Sequence, residues 1–203
     1  MPARADDFQA LSDSLYHWAV YEPAVKCEIG CTALKLAAGW AIIDPVPLAD
    51  DAWAQLLALA PLRAILLTNG NHVREAGTLR TRYQVPIVTA PDTRRAVTEL
   101  KPDITLLPHE LLYGIQAISI PGAAEGETAF FSDLGVLTLG DAVINVSTAD
   151  GLQFLPDKYC TDVRQNRESL RKLLAYNFHT LTLAHGAPVV SRAKEKFEAL
   201  LQS

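Results

Sequence analysis

Hydrophobic and polar positions change period along this chain, and the changes mark out its elements. "LKLAAGWAIIDPV" (residues 34–46) reads as two apolar strands joined through Gly39, with Asp44 and Pro45 ending the second. "DDAWAQLLALA" opens on acids and then repeats apolar residues at helical spacing, which predicts a helix over 51–60. "RAILLT" (63–68) is a continuous apolar run of strand length, as expected for a strand covered on both faces. "HVREAGTLRTRY" (72–83) predicts a short helix and "VPIVTA" (85–90) the next strand, so strand alternates with helix through this half.

The pattern changes after Lys101. "IQAISIPG", "ETAFFSD" and "GVLTLGD" are short β-rich runs separated by Gly, Pro and Asp, and they predict a meander of neighbouring strands. "DVRQNRESLRKLLAYN" then reads as an amphipathic helix, "TLTLAHG" as a strand and "SRAKEKFEALLQ" as a further helix. An α/β fold results: an αββα sandwich of two mixed β-sheets with helices on the outer faces. A doubly wound parallel sheet competes, but three adjacent strands without helices count against it.

Composition narrows the classes. A length of 203 residues suits a single domain over 1–203, and 49% apolar with 20% charged residues is enough to bury a core. A net charge of −5 argues against a nucleic-acid partner. No apolar stretch approaches the ~20 residues of a membrane span. "MPARADDFQALSDSL" lacks the apolar core of a signal peptide, and three cysteines do not make a disulfide framework. These readings predict a cytoplasmic protein and leave its oligomeric state open.

Five landmarks, in order, resemble the metallo-β-lactamase superfamily over nearly the whole chain. They are "AIIDP" (41–45), "LLTNGNHVREAG" (66–77), "IPGAAEGETAFF" (120–131), "VLTLGDAV" (136–143) and "LAHGAP" (183–188). The family pattern has a strand ending in IDP or IDT and then T-H-x-H-x-D-H-x-x-G. A P-G-H, a GD after a strand, and a late His-Gly follow. The resemblance implies a metallo-β-lactamase-like sandwich, and the full pattern would imply a two-metal hydrolytic centre.

The ligand positions do not match. Read without gaps, the first motif's ligands fall on Asn69, Asn71, Val73 and Arg74, and the His of P-G-H falls on Ala123. Asp141 stands at the bridging-carboxylate position and His185 at the last histidine. Zinc sites use three or four N, S or carboxylate ligands at ~2.0–2.3 Å, so no zinc pair is expected, and no cofactor. The alternative is one zinc or similar divalent ion held by His72, Asp141 and His185, since His72 lies one residue beyond a ligand position. Glu75, three residues on, can accompany it. Set against this, His72 reads more simply as a hydrogen-bonded helix-start residue, and Asp141 with His185 reads equally as a structural pair.

Two function readings follow. In the first, a hydrolase-like protein keeps a rebuilt site using His72, Asp141 and His185 as catalytic residues. In the second, a metal-free pseudoenzyme binds a small molecule or a protein at the same sheet-edge cleft. Asp44, Asn69, Asn71, Arg74, Glu75 and Lys158 are the surrounding site or binding candidates. Asp44 is expected to anchor the Asn69–Arg74 turn by hydrogen bonds. Arg74 is expected to turn inward and pair with Asp141 in place of an ion, against the alternative of a solvated helix face shared with Arg80 and Arg82.

Other residues carry weaker signals. Cys27, Cys31 and Cys160 read as inert thiols without a second C-x-x-C. His17 sits in a half-buried strand pattern, His109 in a loop, and His179 before a core strand. "GLQFLPDKYCTDVRQN" either lines a pocket with Phe154, Lys158 and Tyr159 or plugs the core with Leu152, Phe154 and Leu155. "IPGAAEG" lacks the GK[ST] ending of a phosphate loop, and no G-x-S-x-G elbow is present.

Overall fold

A computed structural model describes residues 3–147 and 151–203. The first half runs β1 (Gln9–Ser12), β2 (Leu15–Glu22), β3 (Cys27–Leu36), β4 (Gly39–Ile43), α1 (Asp50–Leu59), β5 (Leu62–Leu66), α2 (Ala76–Tyr83), β6 (Ile87–Thr89), α3 (Pro91–Ala96) and β7 (Ile104–Thr105). The second half runs β8 (Ile115–Ser119), β9 (Thr128–Ser132), β10 (Val136–Leu139), β11 (Val143–Ile144), β12 (Gln153–Phe154), α4 (Val163–Lys172), β13 (Thr180–Leu183) and α5 (Ala193–Gln202).

Strands β1 to β7 form one sheet in sequence order, antiparallel as far as β4 and parallel from β4 to β7. The second sheet has the order β13-β10-β9-β8, with β10 and β13 parallel. Leu34, Ile43, Leu66 and Val88 of the first sheet pack with Ile115, Phe130 and Val136 of the second in one buried cluster. Trp40, Ile42 and Ile65 pack outward against Trp53, Leu56 and Leu79 of α1 and α2. Leu137, Leu139 and Leu181 meet Leu170 of α4 and Phe197 and Leu200 of α5. Helix, sheet, sheet and helix are thus stacked, as the αββα pattern predicts.

The helices follow from local chemistry. Asp50 and Asp51 occupy the first turn of α1, where the helix dipole favours negative charge. Asp162 caps α4 by accepting from the Gln165 N–H at 2.9 Å. In α5, Ala193, Phe197 and Leu200 are buried at helical spacing.

The helix expected over 72–83 begins later, at Ala76. Gly70–His72 instead form a 3-10 turn capped by Asn69, and Arg74 has φ +37. A left-handed residue cannot continue an α-helix, so the turn reorients the chain before α2 starts. The plugging reading of 151–166 holds for its apolar residues. Leu155 is buried, and Leu152 and Phe154 pack against the second outer core.

Candidate functional site

The carboxyl ends of β4, β5, β10 and β13 meet at one edge of the sandwich. They deliver Asp44, Thr68 with Asn69, Asp141 and His185. Parallel pairing of β4 with β5 and of β10 with β13 sends each pair of ends in the same direction, which gathers four short turns at that edge.

Asp44 ends β4 with φ +52, a backbone state that Asp tolerates better than most residues. It accepts the Thr68 N–H at Oδ1 (2.9 Å) and the Thr68 hydroxyl at Oδ2 (2.6 Å). Oδ2 also lies 2.9 Å from His72 Nδ1. A carboxylate only accepts, so His72 carries its Nδ1 hydrogen and turns Nε2 the other way. That Nε2 is 3.2 Å from Asp141 Oδ1, and His185 Nε2 reaches the same oxygen at 2.9 Å.

Among the described residues, His72, Asp141 and His185 form a trio whose ligand atoms lie within 4.8 Å of one another. Two ligands ~2.0–2.1 Å from a tetrahedral ion stand roughly 3.3 Å apart. The 3.2 and 2.9 Å separations therefore suit a shared ion as well as direct hydrogen bonds. The donor set, two imidazoles and a carboxylate with another carboxylate behind one histidine, is one that zinc and iron accept. The residues present fit one ion.

A second layer completes the centre. Asn69 Nδ2 donates to Asp141 Oδ2 (2.9 Å) and to Glu127 Oε2 (2.7 Å), and the Ala142 N–H donates to Glu127 Oε1 (3.1 Å). Gly140 permits this crowding. A Cβ there would stand 2.4 Å from Thr68 Oγ1 and 2.8 Å from Glu127 Oε1. His72 and Glu127 are buried, whereas 14% of the His185 side chain and 12% of the Asp141 side chain stay open. Among the trio, the openings to solvent are at His185 and Asp141.

Electrostatics set the protons. Burial and the Arg74 charge pull the His72 pKa down, but Asp44 and Asp141 outweigh them and raise it from 6.5 to about 9. Burial and repulsion from Asp141 raise Glu127 from 4.5 to about 8, against the hydrogen bond from Asn69 and the His72 charge. Burial opposes ionisation of Asp141, yet the His72 charge and the hydrogen bonds from both histidines hold its pKa well below the usual carboxylate value. A cationic His72 thus donates from both nitrogens, and Glu127 retains its proton at neutral pH.

Arg74 corrects one expectation. It does turn inward, but it makes no ion pair with Asp141 within 4.0 Å. Its Nη1 donates to the Gly30 carbonyl (3.0 Å) and the Asp44 carbonyl (3.3 Å). Both oxygens of Asp141 already accept from His72, His185 and Asn69, and the left-handed turn at Arg74 carries the guanidinium behind Asp44. Arg80 and Arg82 stay at the surface, with Lys101 and Asp50 as their partners.

Three candidates stand outside the trio. The Asn71 side chain is exposed, and its N–H donates to Asn69 Oδ1 (2.9 Å), so Asn71 serves the turn. Glu75 lies against Pro45 at the start of α2, and Lys158 is exposed over the Tyr159 ring. His179 lines a hollow of about 410 Å³ at the opposite end of the sandwich, with Leu15 and Val136. His17 is buried with its Nε2 unpartnered, and burial lowers its pKa to about 4. Sequence reasoning missed Thr68 and Glu127, and it set Cys27 aside although Cys27 Sγ is 3.5 Å from His185 Nδ1. The one signal for Glu127 was an acid directly before the apolar run "TAFF".

The fold has clear counterparts. The metallo-beta-lactamase DIM-1 is similar at TM-score 0.75 and 13% identity, with 98% of each chain covered. A metallo-beta-lactamase from Pontibacter korlensis matches at TM-score 0.71 and 16% identity over 97% of this chain and 99% of its own. TTHA1623, solved in a di-iron-bound form, matches at TM-score 0.59 and 22% identity over 85% of this chain and 93% of its own. At these identities the likeness is one of fold. No curated protein sequence matches. No helix among the described residues is long and apolar enough to cross a membrane. A family profile described as the metallo-beta-lactamase superfamily matches residues 10–203, and the chain belongs to that superfamily.

Proposed function

We propose that this chain is a hydrolase-like protein whose centre takes one divalent zinc or iron ion on His72 Nε2, Asp141 and His185 Nε2. The observation that carries the reading is the convergence of those three side chains, with Asp44 orienting His72 from behind. A ligating histidine commonly gives its other ring N–H to a carboxylate in this way. Such an ion would lower the pKa of a bound water and polarise a carbonyl or phosphoryl oxygen. The chain's own part is to hold Asp141 as a carboxylate, to fix the His72 ring, and to admit a small molecule past His185. A second ion is not supported. The gap-free motif positions hold Val73 and Ala123, buried in apolar clusters, and Asn69, whose amide nitrogen donates to two carboxyl groups.

A second reading has an observation of its own. Arg74 and the cationic His72 face the Asp44 and Asp141 carboxylates, so the centre has internal cations for both acids. A metal-free pseudoenzyme that binds a small molecule or partner at this edge would be built in that way.

Metal analysis separates the two. Protein purified without added metal and titrated with zinc alone should saturate at one equivalent, and His72→Gln should remove the site. No uptake even with zinc in excess favours the metal-free module. Two ions bound ~3.5–4 Å apart would refute both readings. Hydrolysis of β-lactams, thioesters and lactones is expected at or near background in either case, because a two-metal clamp for attacking and leaving oxygens is not supported.

A further inference from the structure

His185 is held at both ring nitrogens. Nε2 faces Asp141 Oδ1 at 2.9 Å, and Nδ1 faces Cys27 Sγ at 3.5 Å. The thiol sits at the start of β3, a strand fastened to the site at several points. The Gly30 N–H donates to the Ala184 carbonyl (2.8 Å), Ile29 bridges to His185, and Arg74 donates to the Gly30 carbonyl. This approach requires glycine, since a Cβ at Gly30 would stand 2.7 Å from His17 Nε2 and 2.9 Å from the Leu183 carbonyl oxygen.

The partner behind His185 differs in kind from the one behind His72. The Asp44 carboxylate can only accept, so it keeps a hydrogen on His72 Nδ1 whatever Nε2 carries. A thiol both donates and accepts. Two arrangements of His185 are therefore satisfied. Either Nε2–H donates to Asp141 while Nδ1 accepts the S–H, or Nδ1–H donates to sulfur and leaves the Nε2 lone pair free. A backbone carbonyl in the same place would permit the second arrangement alone.

We propose that Cys27 is a positioning residue for His185, its thiol reversing from donor to acceptor when a divalent cation enters the trio. The reversal rests on the single-ion reading, and the test keeps the two apart. Ring-nitrogen NMR is recorded on the full chain labelled with ¹⁵N-histidine, zinc-free and then with zinc alone, with His185 identified through His185→Gln. Zinc affinity is measured by competition with a chromophoric chelator for the wild type, Cys27→Ala, Cys27→Val and Cys27→Ser. In zinc-free protein, His185 should be the Nε2–H tautomer. Its Nδ1 resonance should move in Cys27→Ala or Cys27→Val and return in Cys27→Ser. With zinc, the hydrogen should lie on Nδ1. Affinity should fall roughly 10–100-fold in the alanine and valine variants and stay within about threefold of wild type in Cys27→Ser. An Nδ1 resonance indifferent to the alanine and valine changes overturns the positioning role, whatever zinc does. If the wild type takes up no zinc, the single-ion reading and the reversal both fall, while the zinc-free Nδ1 comparison still decides whether Cys27 holds the ring. A sulfur-to-cobalt charge-transfer band that disappears in Cys27→Ala would make Cys27 itself a ligand and overturn the proposal.

Discussion

His72 and His185 reach the same oxygen of Asp141 from opposite sheets, and their surroundings differ in three ways. His72 is fully enclosed, has a carboxylate and a hydroxyl at Nδ1, and lies in a turn closed by its own capping residue. His185 stays partly open, has a thiol at Nδ1, and follows directly from the end of a strand. The first-sheet half of the centre is locked by charge. The second-sheet half is held by a softer partner and faces the approach. A centre built this way keeps one histidine fixed and gives the other more room to adjust.

The comparison breaks most easily at Asp44. Asp44→Ala leaves the Thr68 N–H and hydroxyl without their acceptor, leaves His72 Nδ1 with the Thr68 hydroxyl alone, and removes an anion that acts on both His72 and Arg74. A loss of about 3–5 kcal/mol is expected, read as a shift of the urea midpoint. A loss below about 1 kcal/mol, the typical net worth of one hydrogen bond, would mean that the first-sheet half is not locked.

Stability against pH is the next test. Folded His72 keeps its second proton to about pH 9 and the unfolded chain only to 6.5, so that contribution is complete below pH 6.5 and is lost as pH rises through 9. It is worth about 3 kcal/mol. Glu127 acts in the same direction. Its folded pKa of about 8 against 4.5 unfolded costs stability as pH rises between those values. His17 acts oppositely, since a pKa lowered to about 4 costs stability as pH falls below 6.5. Denaturation from pH 6.5 to 9 should therefore show falling stability in the wild type and a shallower slope in His72→Gln. Equal slopes would remove the charge from the locked half.

Asn69→Ala probes the seam between the halves. It takes one amide donor from both Glu127 and Asp141, with an expected loss of about 1–3 kcal/mol. Zinc uptake should change less than in His72→Gln. A larger effect on zinc than on stability would move Asn69 into the ligand set. Lys158→Ala should do least. The side chain is exposed and outside the trio, so stability should stay within about 0.5 kcal/mol and zinc uptake should not change.

The layers were legible because each outer helix and inner strand declares its buried face by period. Trp53 and Leu56 on α1, and Leu137 and Leu139 on β10, are cases in point. Small pieces escaped. Strands β7, β11 and β12 have two residues each, too few for any period to show. In the site, motif spacing located Asp44, Asp141 and His185, because strand ends carry them and strands keep register. Between Thr68 and Ala76 spacing alone misled. The 3-10 turn and the left-handed Arg74 change which side chains face inward, bringing in His72 and sending Arg74 behind Asp44. Glu127 and Cys27 were invisible for another reason. Their importance lies in partners 58 and 158 positions away, and no local pattern records such a pairing.

That separation has a consequence for the order of folding. Contacts between nearby residues close small loops and form early, whereas contacts across long stretches wait until entropy has been lost elsewhere. The hairpin of β2 and β3 and the meander of β8, β9 and β10 are local and can form independently. The hydrogen bond from Gly30 to Ala184 joins the two sheets only after both exist. During synthesis, Asp44, Thr68 and His72 emerge well before Asp141 and His185. A buried cluster whose members lie this far apart along the chain is thus expected to close late in assembly.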